Sequence, residues 1–187
     1  MEDFVREKLL LKEIRSSGEQ KLFNLSQTVE FVKCAHELGK TVVVTEGTWD
    51  LTHAGHVQNI RESGKHADLV VMRLASSEYA KTFKGPDRPI ESYREIVVSE
   101  FEGVDAVVVD ETAIDPTDIQ ANAAVLAQID PDFIAIETED EKFQLKLDTA
   151  KYAHDNLGSR IQAVVFTLPL LNSTTMIINR ILEMKQK

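Results

Sequence analysis

Five short apolar runs rich in β-branched residues punctuate this chain: "TVVVT" (41–45), "ADLVVMRL" (67–74), "VDAVVVD" (104–110), "DFIAI" (132–136) and "IQAVVFT" (161–167). Between them lie helical patterns, "GHVQNIRESGK", "SYREIVVSEFE", "PTDIQANAAVLAQI" and "EDEKFQLKLDTAKYAHDNLG", and "STTMIINRILEMK" follows the last run. Runs that are apolar throughout, without alternation, suit strands covered on both faces, and a helix between successive strands makes them parallel. The pattern predicts a parallel sheet of five strands with helices on both faces. Ligands of such sheets bind beyond the carboxyl ends of the strands, where the strand order reverses.

The first 39 residues read as a helical N-terminal extension, and 40–187 as the sheet-bearing domain. "EDFVREKLLLKEI" and "NLSQTVEFVKCAHELGK" are helical around a break at "SSGEQ", with Ser26 as a cap and Gly39 as a stop. A chain of 187 residues that is 43% hydrophobic suits one domain with a real core. Its 31 acidic residues against 21 basic ones give a net charge of −10, which repels a phosphate backbone and excludes a nucleic-acid partner. A small anionic ligand therefore needs a local cationic pocket working against the global field. The one cysteine, Cys34, lies on an apolar helix face. It excludes an internal disulfide and a cysteine-built zinc site, and reads as an inert buried thiol. There is no apolar run of about 18 residues and the N-terminus "MEDFVREKLL" is charged, so no membrane is expected and the chain reads as cytoplasmic.

The stretch "EGTWDLTHAGHVQNI" (46–60) follows the first strand and carries His53 and His56. Two imidazoles at that spacing can ligate a metal, grip a phosphate or cap a helix. His36, His66 and His154 are scattered, and no cysteine is near, so the zinc patterns are not met. The phosphate reading fits better. Gly47 permits a tight turn, Gly55 lets the backbone approach a ligand, and a helix starting near Ala54 turns its free amides toward an anion. A spacing of three puts both rings on one side of that first turn.

"GTWDLTHAGH" (47–56) resembles the "GTFDxxHxGH" signature of the cytidylyltransferase-like nucleotidyltransferases, through Gly47, Thr48, Asp50, His53, Gly55 and His56 directly after a strand. "FKGPDRPI" (83–90) resembles the "LKGPxRPV" loop of the bacterial sugar-phosphate members, notably the heptose-1-phosphate adenylyltransferase domain. "SYREIVVSEFEGVDAVVVDE" resembles the helix and strand that follow, with Arg94 on the family's arginine, and "LLNSTTMIINRI" (170–181) resembles the "xxSTTxIIxxI" ending. The likeness runs from 40 to 185 and includes the helix "VEFVKCAHELGK". Three features depart from it. Trp49 replaces phenylalanine, "IETEDEKF" (136–143) stands where the family carries "KGxDY", and the segment between Pro89 and Arg94 is short, as in the glycerol-phosphate cytidylyltransferases. Residues 1–25 have no counterpart.

The resemblance implies a Rossmann-like fold and transfer of a nucleotidyl group from ATP or CTP to a phosphorylated sugar or polyol, with release of pyrophosphate. It implies that His53 and His56 grip the α-phosphate and bridging oxygen, and that Lys84, in a loop with Gly85 and Pro86, binds the α-phosphate or the acceptor phosphate. Arg94, Ser173 and Thr174 would hold the leaving pyrophosphate, while Gly47, Thr48, Trp49, Asp50 and Gly55 would contact nucleotide. Arg73 and Arg88 are candidate acceptor contacts. A Mg²⁺ ion held by substrate oxygens and water is expected, with no metal site on the protein's own residues, and a homodimer is expected.

Each residue also has a plainer reading. Ser173 and Thr174 cap a helix, Asp50 closes a turn, and Arg73 pairs with Glu78. Two alternatives stand beside the enzyme reading: a non-catalytic nucleotide-binding relative, and another adenylyltransferase such as a flavin or pantetheine-phosphate enzyme, which the "KGPDRPI" loop disfavours. A class I aminoacyl-tRNA synthetase shares HxGH, but this chain is too short and too acidic.

Overall fold

The computed structural model describes residues 21–85, 93–111, 115, 117–169 and 173–185, without the side chains of Tyr79 and Phe83. In chain order the strands are β1 (Leu22–Phe23), β2 (Val42–Gly47), β3 (Leu69–Ala75), β4 (Ala106–Asp110), β5 (Phe133–Glu137) and β6 (Gln162–Phe166). The helices are α1 (Leu25–Glu37), α2 (Ala54–Ser63), α3 (Ser77–Lys84), α4 (Arg94–Ser99), α5 (Ile119–Ile129), α6 (Phe143–Leu157) and α7 (Thr174–Lys185).

All strands pair in parallel, in the order β1-β4-β3-β2-β5-β6. The sheet therefore has six strands where five were expected. The additional strand is two residues long, with Leu22 opposite Val107 and Phe23 opposite Val108. A segment that short cannot display a period, so only its neighbour β4 reveals it. From β2 the chain winds outward through β3 to β4, then returns to place β5 on the other side of β2. The strand order reverses between β2 and β5, which locates a crevice at their carboxyl ends.

Two apolar layers sandwich the sheet. On one face Val42, Val44, Val71, Val108, Ile134 and Ile136 meet Phe31 and Val32 of α1, Leu126 and Ile129 of α5, and Ala150 and Ala153 of α6. On the other, Val43, Val70, Met72, Leu74 and Val107 meet Trp49, Ile60 of α2 and Val98 of α4. Helix α1 thus belongs to the main core, and Cys34 is buried within it. Its cap is Asn24, not Ser26: Asn24 Oδ1 accepts from the Gln27 amide at 2.9 Å, and the Gln27 side chain accepts from the Asn24 amide. Helix α3 was not anticipated, and Lys84 ends it instead of lying in a loop. Among the described residues no helix is long and apolar enough to cross a membrane.

Candidate active site

The turn leaving β2 is built from close contacts. A Cβ on Gly47 would lie 2.8 Å from Trp49 Nε1, so glycine is required for the indole to fold back over the end of the strand. Trp49 itself takes a left-handed backbone (φ 55°), a costly conformation for a bulky residue. Two braces hold the turn. Arg94, buried at the start of α4, donates from Nη1 to the Thr48 carbonyl at 3.0 Å and from Nη2 to the Ala75 carbonyl at the end of β3. Asp50 Oδ1 accepts from the Leu51 amide at 3.0 Å and from Thr174 Oγ1 at 3.0 Å, which ties the turn to the first residue of α7. Ser173 caps that helix, its Oγ accepting from the Met176 amide at 3.2 Å.

His53 and His56 open α2 as a capping box. His53 Nδ1 accepts from the Gly55 amide at 3.2 Å, and His56 Nδ1 accepts from the His53 amide at 3.3 Å. Each Nδ1 is therefore an acceptor, and in the neutral ring the proton sits on Nε2. The rings stack with centroids 3.9 Å apart, and Trp49 lies against His56 at 4.5 Å. Burial, followed by the neighbouring His53, pulls His56 down to about 4 against the opposing pull of Asp50. Burial also lowers His53, again with Asp50 opposing. At neutral pH the pair thus offers neutral Nε2–H donors at the amino end of a helix, a setting suited to a phosphoryl oxygen. Capping and phosphate binding use different nitrogens of the same rings, so the plain and the functional readings are compatible.

Beside this turn a cavity of about 110 Å³ lies at the carboxyl ends of the strands, lined at one side by Glu46, Gly47 and Thr48. Arg73 forms part of its wall, with every nitrogen of its guanidinium engaged. Nε donates to Asp110 at 3.1 Å, Nη2 to Asp110 and to Asn122 at 3.2 Å, and Nη1 to Glu46. Its carboxylate partners are Glu46 and Asp110, not Glu78. These two carboxylates outweigh the cost of burial and raise the arginine above its ordinary value.

Lys84, Lys142 and Lys146 also line the cavity. Lys84 reaches Glu141 at 3.1 Å; Lys146 donates to Asp140 at 2.7 Å and to the Glu46 carbonyl at 3.0 Å. Burial raises Asp140, but Lys146 and the Lys142 amide hold it below its usual range. Lys142 and Lys146 were missed by the sequence reading. Nothing in one dimension shows that the start of α6 faces the end of β2; only the pairing of β5 with β2 brings them together. Glu46, Asp110 and Asn122 were missed for the same reason.

The turn thus gathers Gly47, Thr48, Trp49, Asp50, His53, Gly55 and His56, with Thr174 fastened to it. Lys84 and Arg73 line the adjoining cavity. Arg94 braces backbone from a buried position, and Arg88 lies outside the described residues. Among the described residues no three His, Cys, Asp or Glu side chains converge as a metal site.

No protein-family model matches the chain. Its sequence is similar to bifunctional HldE proteins. It is 36% identical to that of Aliarcobacter butzleri over 76 residues, covering 40% of this chain and 16% of the relative. Identity to that of Pectobacterium carotovorum is 32% over 110 residues, covering 58% of this chain and 22% of the relative. The matched region is thus about a fifth of each relative's length or less. Among solved structures, the lipopolysaccharide core biosynthesis protein of Thermoplasma volcanium superposes with a TM-score of 0.56 at 22% identity, over 68% of this chain and 97% of that one. Pantoate-β-alanine ligase of Francisella tularensis superposes with a TM-score of 0.58 at 13% identity, over 89% of this chain and 79% of that one. These two likenesses establish the α/β fold, with its parallel sheet flanked by helices.

Proposed function

We propose that this chain is a cytoplasmic nucleotidyltransferase that moves a nucleotidyl group from ATP or CTP to a phosphorylated sugar or polyol. The observation that carries the reading is the His53–His56 pair, held neutral in a capping box beside a cavity lined by lysines. A phosphate oxygen of the acceptor attacks the α-phosphorus in line, the bond to the bridging oxygen breaks, and pyrophosphate leaves. No covalent enzyme intermediate is needed, so the chain supplies position and charge stabilisation. His53 and His56 donate Nε2–H to the α-phosphoryl and bridging oxygens, where negative charge grows. The amino end of α7, with Ser173 and Thr174, receives the leaving pyrophosphate. Arg94 acts as a positioning residue, because its donors reach the backbone at Thr48 and Ala75.

A Mg²⁺ ion bound with the triphosphate would supply charge neutralisation at the phosphate oxygens, held by substrate and water and not by this chain's residues. The resemblance to sugar-phosphate adenylyltransferases and the similarity to HldE support the choice of acceptor class. A homodimer accords with the exposed Ile181, Leu182 and Met184 of α7, and light scattering tests it.

The test of function is a matrix of ATP, CTP, GTP and UTP against sugar 1-phosphates and polyol phosphates, read as pyrophosphate release. Release with ATP or CTP and a polyhydroxylated phosphate ester is expected. Nucleotide binding without release from any pair would give the chain to the non-catalytic class.

A further inference from the structure

The cavity's charge is unlike that of the chain around it. Its lining holds four cations, Arg73, Lys84, Lys142 and Lys146, against three carboxylates, Glu46, Asp110 and Asp140, in a protein of net charge −10. Arg73 gathers Glu46, Asp110 and Asn122 into one hydrogen-bonded group, while Lys84 ends α3, Lys142 immediately precedes α6 and Lys146 lies in its first turn. Lys142 is the cap residue of α6 and Lys146 follows four residues later, so both stand at its amino end, where the helix dipole adds positive potential.

We infer that Lys142, flanked by Lys84 and Lys146, forms a seat for the dianionic phosphate of the acceptor, and that the Glu46–Arg73–Asp110 group faces the acceptor's hydroxyls. This rests on the proposed transfer reaction and names the part of the site that selects its second substrate. The cavity offers both kinds of group that a polyol phosphate needs: ammonium donors for the phosphate, and carboxylate and amide acceptors for the hydroxyls. Arg73 orients the carboxylates and does not itself grip phosphate. Asp140 and Glu141 engage Lys146 and Lys84, and the charges of both lysines act on Lys142.

The arrangement makes the seat sensitive to pH. Burial pulls Lys142 down to about 8, and the ammonium groups of Lys146 and Lys84 push the same way, against Asp140 and Glu46. A dianion arriving among these groups favours the charged lysine, so binding weakens once the solution pH passes that value.

The test uses the full chain, with inorganic phosphate as the probe, followed by ³¹P NMR titration in the presence of a saturating non-transferable methylene analogue of ATP. Phosphate should bind alongside the analogue, and its affinity should fall about tenfold between pH 7.5 and 9.5 as Lys142 loses its charge. Lys142→Met should lower affinity about tenfold at pH 7.5. Lys142→Arg, which keeps its charge, should restore affinity and remove the loss at high pH. Lys151→Met, on an exposed part of α6, is the control and should behave as wild type. Displacement of phosphate by the analogue would assign the lysines to the donor and overturn the inference, as would unchanged affinity in a folded Lys142→Met variant.

The transfer assay separates this inference from the reaction it rests on. Phosphate binding through Lys142 without nucleotidyl transfer supports the seat while refuting the reaction. Transfer with an acceptor KM indifferent to Lys142→Met refutes the seat while supporting the reaction.

Discussion

His53 and His56 stack ring on ring at 3.9 Å while each closes one half of the same helix cap. The cap fixes both Nδ1 atoms as acceptors of backbone amides, so the two Nε2 atoms carry the protons of the neutral pair. A protonated pair at this distance would be disfavoured by mutual repulsion as well as by burial.

His56→Ala should lower turnover at least about a hundredfold while leaving triphosphate affinity within about tenfold, because the imidazole contributes mainly once charge develops on the phosphoryl group. Comparing kcat with a directly measured Kd checks this. Equal losses in both would make His56 a ground-state ligand instead.

Stability should fall in acid partly through the same ring. His56 lies near 4 in the folded protein and 6.5 when free of its surroundings, so the unfolded chain binds the proton more readily. Its contribution is complete above pH 6.5 and is lost as pH falls toward 4, amounting to about 3 kcal/mol at most. Urea denaturation of wild type and His56→Asn at pH 7 and pH 4.5 measures it. The variant should lack this part of the acid loss.

Arg94→Met should act without touching substrate. It strips donors from the carbonyls of Thr48 and Ala75 and should destabilise the fold by about 2 kcal/mol. Because it loosens the turn that carries the histidines, kcat should drop more than KM rises. A selective rise in the KM for triphosphate would instead mark a direct phosphate contact.

Asp50 and Thr174 should be coupled. A double-mutant cycle of Asp50→Asn and Thr174→Val, read by chemical denaturation, should give an interaction energy of about 1 kcal/mol for the hydrogen bond joining the β2 turn to α7. Additive losses would show that the contact contributes no coupling.

Glu137→Lys should leave acceptor preference unchanged. Glu137 ends β5 but does not line the cavity, whereas Asp140 does. A changed ranking of acceptors in the substrate matrix would place Glu137 at the acceptor.

Much of this protein was legible in one dimension. The five long strands follow from apolar runs: β2 to β5 are buried between the two helix layers, while β6 lies at the sheet edge with Val165 exposed. The His53–His56 turn follows from a contiguous motif whose residues act on neighbours a few positions away. Local spacing determines a helix cap, and this motif is a helix cap.

What remained was decided by which strands lie side by side. β1 is too short to show a period and exists only because β4 offers its edge. Arg73 finds Glu46 and Asp110 because β3 lies between β2 and β4, in registers that set Arg73 opposite Glu46 and Ala75 opposite Asp110. Lys142 and Lys146 reach the cavity because β5 crosses to the far side of β2, a step of nearly 100 residues along the chain. Charges converge through strand order, and strand order is a property of the packed sheet, not of any one segment's pattern.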